Sequence, residues 1–186
     1  MLVKNILIMI LILPLTVVGK EVVLDVMITI SVVKDICLSL KENDILKISS
    51  YGGYTLPAIE LSLCVRDKSV TVSIDHAESA ATFIVLAAKK VCFNKKVAIG
   101  FHSPIFLNKK TREPEDFSIS KMSRYVVFMQ YFYERWGYTP TQVAALLVMV
   151  IKTPPSGMHY LKHEEAVTLL GDRYIGSCDN AQSIPQ

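Results

Sequence analysis

Little in this chain favours a metal, a nucleic acid or a redox centre. Its four cysteines, Cys37, Cys64, Cys92 and Cys178, show no C-x-x-C spacing, so neither a zinc site nor a redox pair is legible from them. Neither sign of charge is in large excess. The formal net charge is +3 and the basic residues are scattered, not gathered in a stripe, which argues against nucleic acid as a partner. The apolar run from Ile6 to Val18 is shorter than the roughly 20 residues a membrane span needs. The sequence shows no internal repeat and no low-complexity segment, and it implies no metal or organic cofactor.

What is present is apolar content, 51% over 186 residues, enough to bury the core of one domain. The run at residues 6–18 follows Lys4 and precedes Gly19-Lys20, the layout of a secretory signal, with Val17 and Gly19 small enough for a cleavage site. An uncleaved N-terminal anchor, with a membrane contact there, or a buried first strand would read the same. The chain therefore divides into 1–19, a signal peptide or N-terminal membrane anchor; 20–176, the folded domain; and 177–186, a polar tail. Either of the first two readings places the body outside the cytoplasm, in an exported and, for a bacterium, periplasmic protein. Export permits disulfides. Four cysteines allow three full pairings, and Cys37 and Cys64, inside expected helices, read as ordinary core residues, so no bridge is assigned.

Hydrophobic spacing predicts repeated strand and helix. Glu21 to Ile30 reads as a buried strand, and Val32 to Leu40 as a helix broken by Asn43-Asp44. Asp44 to Ser49 alternates as a strand, and Leu56 to Val65 returns to helical spacing with Pro57 in the first turn. Ser69 to Ile74 alternates again and runs through Asp75-His76-Ala77 into an apolar helix beginning at Ser79. Lys95-Lys96 interrupts before a strand that ends at His102. This order predicts an α/β fold with a mostly parallel sheet. Helices follow near Ile119–Trp136 and Thr141–Lys152, then a short one over His163–Leu170 stopped by Gly171, with a closing strand at Asp172–Ile175. Tyr125, Tyr131, Phe132, Tyr133 and Trp136 read as packing residues, and Val143 to Ile151, apolar nearly all round, belongs in the core or against another subunit.

The chemistry-bearing residues fall at expected strand ends, where open α/β sheets collect ligands. Ser79 at a helix start is a nucleophile candidate, favoured there by the helix dipole and free N–H groups. His102 is its candidate base, because imidazole takes up a proton near neutrality. The N–H groups of Gly53 and Ala80 are candidate oxyanion donors, glycine allowing close backbone approach. Other readings stand beside these. A serine at that place also serves as a helix cap, a strand-end histidine bonds to backbone, and Gly52-Gly53 makes a turn. Asp75, His76 and Ser79 form a second, more local set.

The glycine pair, the serine at a helix start, the histidine one strand later, and the closing Tyr160-Leu161-Lys162-His163-Glu164-Glu165-Ala166 with Gly171-Asp172 resemble the Clp-protease/crotonase superfamily, most closely its exported Clp-protease-like branch. The resemblance spans roughly Val22 to Ile175. It implies a Clp/crotonase-like fold of repeated β-α units with helices added in the C-terminal third. It further implies a serine hydrolase acting on a peptide or protein substrate, and assembly into a homo-oligomer. The sequence departs from the family in three places. No carboxylate stands near Gly157-Met158-His159, where the acidic triad member would fall; Glu78 precedes the serine where a small residue is expected; Ala77 and Ala81 stand where this branch often has cysteines. The acid could instead come from Glu113, Glu115 or Asp116, or be replaced by His159 or His163. The alternative to catalysis is a binding or assembly module that keeps the fold. Acyl-CoA chemistry would need only the oxyanion hole, and export argues against it.

Overall fold

A computed structural model of the chain describes residues 19–108, 110–116 and 118–181, without the side chains of residues 94–97, 180 and 181. The apolar run at 6–18 and the last residues of the polar tail lie outside the described residues. Four parallel strands, β1 (Glu21–Leu24), β2 (Ile45–Ser50), β3 (Thr71–Glu78) and β4 (Lys90–Phe101), lie side by side in chain order. Between them come α1 (Ile30–Ser39), α2 (Thr55–Asp67) and α3 (Ala81–Ala87). Then follow α4 (Ile119–Arg135), α5 (Pro140–Lys152), β5 (His159–Tyr160), α6 (His163–Leu170) and α7 (Cys178–Ala181). The fold is α/β with a mostly parallel sheet, as the alternation predicts.

The helix ends follow local chemistry. The Thr29 hydroxyl accepts from the Val32 N–H and starts α1. Thr139 and Gln142 form a capping box at α5, with Pro140 in the first turn. Gly171, at φ +55°, ends α6. Asp44 is buried and accepts from the Lys20 N–H at 3.0 Å and the Lys41 N–H at 2.7 Å, joining the start of β1 to the turn before β2.

The elements depart from expectation where long-range contacts decide. β1 stops at Leu24 and not Ile30, because Ile28 bridges the far side of the β2 turn: its N–H donates to the Gly52 carbonyl and its carbonyl accepts from Tyr54. β3 extends to Glu78, taking in Asp75-His76-Ala77. The charged pair Lys95-Lys96 lies within β4, at a register step where Ile74 faces Phe93 but His76 faces Ala98. The expected closing strand at Asp172–Ile175 is instead a 3-10 turn (Gly171–Arg173) and a single bridge from Tyr174 to Val91. β5, antiparallel on the free edge of β4, was not foreseen.

The cysteines also differ from expectation. Cys37 and Cys64 form a disulfide between α1 and α2, Cα atoms 6.1 Å apart, and Cys92 and Cys178 form another at 4.9 Å, tethering the C-terminal segment to β4. Helical spacing placed Cys37 and Cys64 correctly on packed faces and could not say that the two faces meet.

α3 is wholly buried. Its C-terminal carbonyls accept from basic and phenolic groups: Leu86 from Arg173 at 2.7 Å and Tyr138 at 3.2 Å, Ala87 from Arg66 at 2.8 Å. Val143, Leu146 and Val150 bury one side of α5, while Val148 and Ile151 remain exposed.

Candidate active site

Three neighbouring parallel strands end at the same edge of the sheet. β2 runs on into Gly52-Gly53, β3 into Ser79 and β4 into His102. Register sets Glu78 opposite Gly100, and the Ser79 N–H donates to the Gly100 carbonyl at 2.9 Å. At this edge a cavity of about 330 Å³ is lined by Gly53, Ser79, Ala80 and His102, with Tyr125 and Tyr133 from α4. The four residues singled out by sequence thus border one space.

Ser79 occupies the left-handed region at φ +52°. For a residue other than glycine this costs roughly 1–3 kcal/mol, and such strain gathers at functional sites. Its neighbours hold it there. The Ser79 carbonyl accepts from the Thr82 N–H at 3.1 Å and from the Thr82 hydroxyl at 2.7 Å, and Thr82 is buried. The helix begins at Ala81 and not at Ser79; Ala80 is its N-cap, with no side-chain cap bond, so the Ser79 hydroxyl is not a helix cap. Thr82 was missed by sequence reasoning, although serine followed three residues later by threonine was visible as a local hydrogen-bonding pattern.

Gly52 is the glycine that touches the serine. At φ +99° it lies so close that an added Cβ would stand 2.8 Å from the Ser79 Cβ and 2.7 Å from the Glu78 carbonyl oxygen. Gly53 packs instead on the Ile28 backbone. Among the described residues no backbone carbonyl accepts from the N–H of Gly53 or of Ala80, which leaves both as open donors at the cavity.

The His102 Nδ1 lies 2.7 Å from the Ser103 carbonyl oxygen. A carbonyl only accepts, so Nδ1 carries the proton and Nε2 keeps the lone pair that a base needs. Ser103 is itself fixed: its N–H and hydroxyl donate to the Thr153 carbonyl at 2.8 and 2.7 Å, just past α5. Among the described residues no carboxylate pairs with His102, and no hydrogen bond joins it to Ser79. Glu115 on the charged loop is engaged by Lys121 and by Asn108 at 3.2 Å. Where the resemblance puts an acid, Met158 packs on Gly100. His159 is exposed on β5, and His163 stacks edge-on against Phe93.

Glu78 faces other partners. Its Oε1 accepts from the Tyr160 hydroxyl at 2.7 Å and lies 3.7 Å from the His76 Nε2, and Glu78 does not line the cavity. The hydrogen bond to Glu78 raises the pKa of the Tyr160 hydroxyl, desolvation adding to it. His76 meets the Tyr51 ring edge-on, and Asp75 pairs with Lys47 at 3.2 Å, so Asp75, His76 and Ser79 do not form a local set.

Of the α4 aromatics, Phe132 and Trp136 pack as expected, but Tyr125 and Tyr133 form cavity wall. The Tyr133 hydroxyl is fully buried and has no hydrogen-bond partner among the described residues.

No protein-family model matches the sequence, and no curated protein does. Solved structures do match. A serine-to-alanine variant of the 1510-N membrane-bound stomatin-specific protease superposes with a TM-score of 0.62 at 13% identity, over 86% of this chain and 80% of that one. A lysine-to-alanine variant of the same protease, in complex with a substrate peptide, gives 0.60 at 12% identity over 86% and 75%. An asparagine-to-aspartate variant of ClpP1 from Listeria monocytogenes gives 0.60 at 15% identity over 87% and 94%. The chain has the fold of the Clp-protease/crotonase superfamily.

Proposed function

We propose that the chain is a serine hydrolase of Clp type that cleaves peptides. Ser79 Oγ attacks the substrate carbonyl while His102 Nε2 takes its proton. The Gly53 and Ala80 N–H groups receive the developing oxyanion. His102 then returns the proton to the leaving amine, and water hydrolyses the acyl-Ser79 ester by the same route. The observation that carries this reading is the strained Ser79 bordering one cavity with His102 and two open N–H donors. The Ser103 carbonyl stands in for the missing acid in fixing the imidazole tautomer, though as a neutral group it stabilises imidazolium less than a carboxylate would.

The folded domain begins at 20, preceded by a signal peptide or N-terminal membrane anchor, and the segment expected as a polar tail at 177–186 is joined to it at its start, where Cys178 of α7 bridges to Cys92. Two disulfides fit an oxidising compartment and hence export, with the periplasm the bacterial case. Among the described residues no helix is long and apolar enough to cross a membrane; the anchor of this reading is the apolar run at 6–18. A homo-oligomer is the assembly suggested by family resemblance.

The second reading is a non-catalytic binding or assembly module. It is favoured by one observation, the absence among the described residues of a carboxylate on His102 or a bond from it to Ser79. Fluorophosphonate labelling of the natural protein, Ser79→Ala and His102→Ala separates the two. Labelling that vanishes in both variants supports the hydrolase; a folded natural protein that does not label rejects it.

A further inference from the structure

Beside the Ser79 cavity lies a larger groove of about 1030 Å³ between α1, α2, α4 and the loop after β4. Tyr54, Thr55, Pro104, Ile105, Leu107 and Tyr125 line both, so the two spaces adjoin. The groove is apolar, with Ile30, Leu56, Pro57, Phe106 and Phe128 along it. Ile30, Leu56 and Ile105 are 72%, 65% and 54% exposed. Large side chains so exposed on a concave surface mark a binding site more than a defect of folding.

Its charged groups are nearly of one sign. Lys34 on α1, Arg112 on the loop, and Lys121 and Arg124 on α4 border it. Glu115 neutralises Lys121. Among the described residues no carboxylate pairs with Lys34, Arg112 or Arg124, and the Arg112 guanidinium lies 5.3 Å over the Tyr54 ring, at the junction of groove and cavity. Unpaired cations around a low-dielectric trough focus positive potential on whatever lies in it, and guanidinium groups favour carboxylates.

We propose that this groove selects the substrate: it seats an extended peptide segment with apolar side chains in the trough and Asp or Glu side chains at Lys34, Arg112 and Arg124. This rests on the hydrolase reading for the direction in which the peptide runs, from the groove toward Ser79. The apolar residues line a trough, so a peptide fits them better than a flat lipid surface.

The test uses the full chain carrying Ser79→Ala, so that binding is read without turnover. Fluorescent peptides of one apolar sequence, amidated at the C-terminus and bearing Glu, Gln or Lys at alternate positions, are titrated by anisotropy. The Glu peptide is expected to bind about three- to tenfold more tightly than the Gln peptide, with the Lys peptide weakest and the preference fading as salt rises. Adding Lys34→Glu and Arg124→Glu, both exposed on helix surfaces, abolishes the preference while the circular dichroism and thermal midpoint stay unchanged. Equal binding of the three peptides overturns the proposal, as does a preference that survives both reversals. Binding to anionic vesicles without any preference among peptides overturns it in favour of a membrane surface. Absence of fluorophosphonate labelling in the folded natural protein, with the Glu preference intact in the Ser79→Ala chain, would reject the hydrolase and leave the acidic-peptide groove standing.

Discussion

Gly52 passes so close to Ser79 that a Cβ on the glycine would stand 2.8 Å from the Cβ of the serine. The turn after β2 and the turn after β3 are thereby in backbone contact, and the left-handed conformation of Ser79 is held from both sides. Gly52→Ala meets a clash and a strained φ of +99° together. It is expected to cost about 1–3 kcal/mol of stability and to suppress labelling at Ser79. A variant as stable and as reactive as the natural protein would show that the contact does not shape the site.

The hydrogen bond from His102 to its own neighbour's carbonyl makes a prediction about protons. In the neutral imidazole, Nδ1 carries the hydrogen. Nitrogen chemical shifts of selectively labelled histidine, assigned with His102→Gln, report the tautomer directly. A neutral Nε2–H form would remove the lone pair from the atom that the proposed mechanism uses.

Tyr133 buries a hydroxyl that no described residue satisfies. Tyr133→Phe deletes that unmet group and keeps the ring, so it is expected to raise stability by on the order of 1 kcal/mol. Chemical denaturation of the two proteins measures the difference. A destabilised variant would mean that the hydroxyl has a partner in solution.

Burial pushes the Tyr138 phenol up to about 12, with Arg173 and Arg66 opposing, and it raises Tyr133 and Tyr125 as well. A folded-state pKa above the ordinary 10.0 means that the native state binds the phenolic proton more tightly than the unfolded chain. The resulting stability is fully present below pH 10 and is lost as pH rises from there toward 12. The thermal midpoint should therefore fall over that window, with phenolate absorbance appearing alongside unfolding. Titration of these tyrosines at their ordinary value in a folded protein would contradict the burial argument.

The Cys92–Cys178 disulfide closes a loop of 86 in sequence separation, against 27 for Cys37–Cys64. Chain-entropy arguments give the longer loop the larger effect, about 4–5 kcal/mol against about 3.5 as upper values. Cys178→Ser should thus lower the melting temperature more than Cys64→Ser. Mass spectrometry of the oxidised natural protein should find no free thiol, and recovery of four thiols without reductant would sink both bridges.

The alternation of period-2 and helical spacing was enough to read the order of β2, α2, β3 and the helix after Ser79, because such periodicity is written within each segment. Ser79 and His102 could be singled out because each lies where one pattern gives way to the next. Polar and charged residues inside strands misled the reading: Asp75-His76 belongs to β3 and Lys95-Lys96 to β4, at a register step flanked by the pairs of Ile74 with Phe93 and His76 with Ala98. The two-residue β5 has no periodicity to detect and exists only because the edge of β4 was free to pair.

By itself, then, the sequence determined the α/β alternation and the approximate strand ends that carry Gly53, Ser79 and His102, since these depend on residues adjacent in the chain. Only the tertiary structure decided that Gly52 and not Gly53 touches Ser79, that Ser103 orients His102, that Tyr125 and Tyr133 wall the cavity, and which cysteines pair. Each of these depends on register between strands or on the packing of segments distant in sequence. Local spacing carries no information about either.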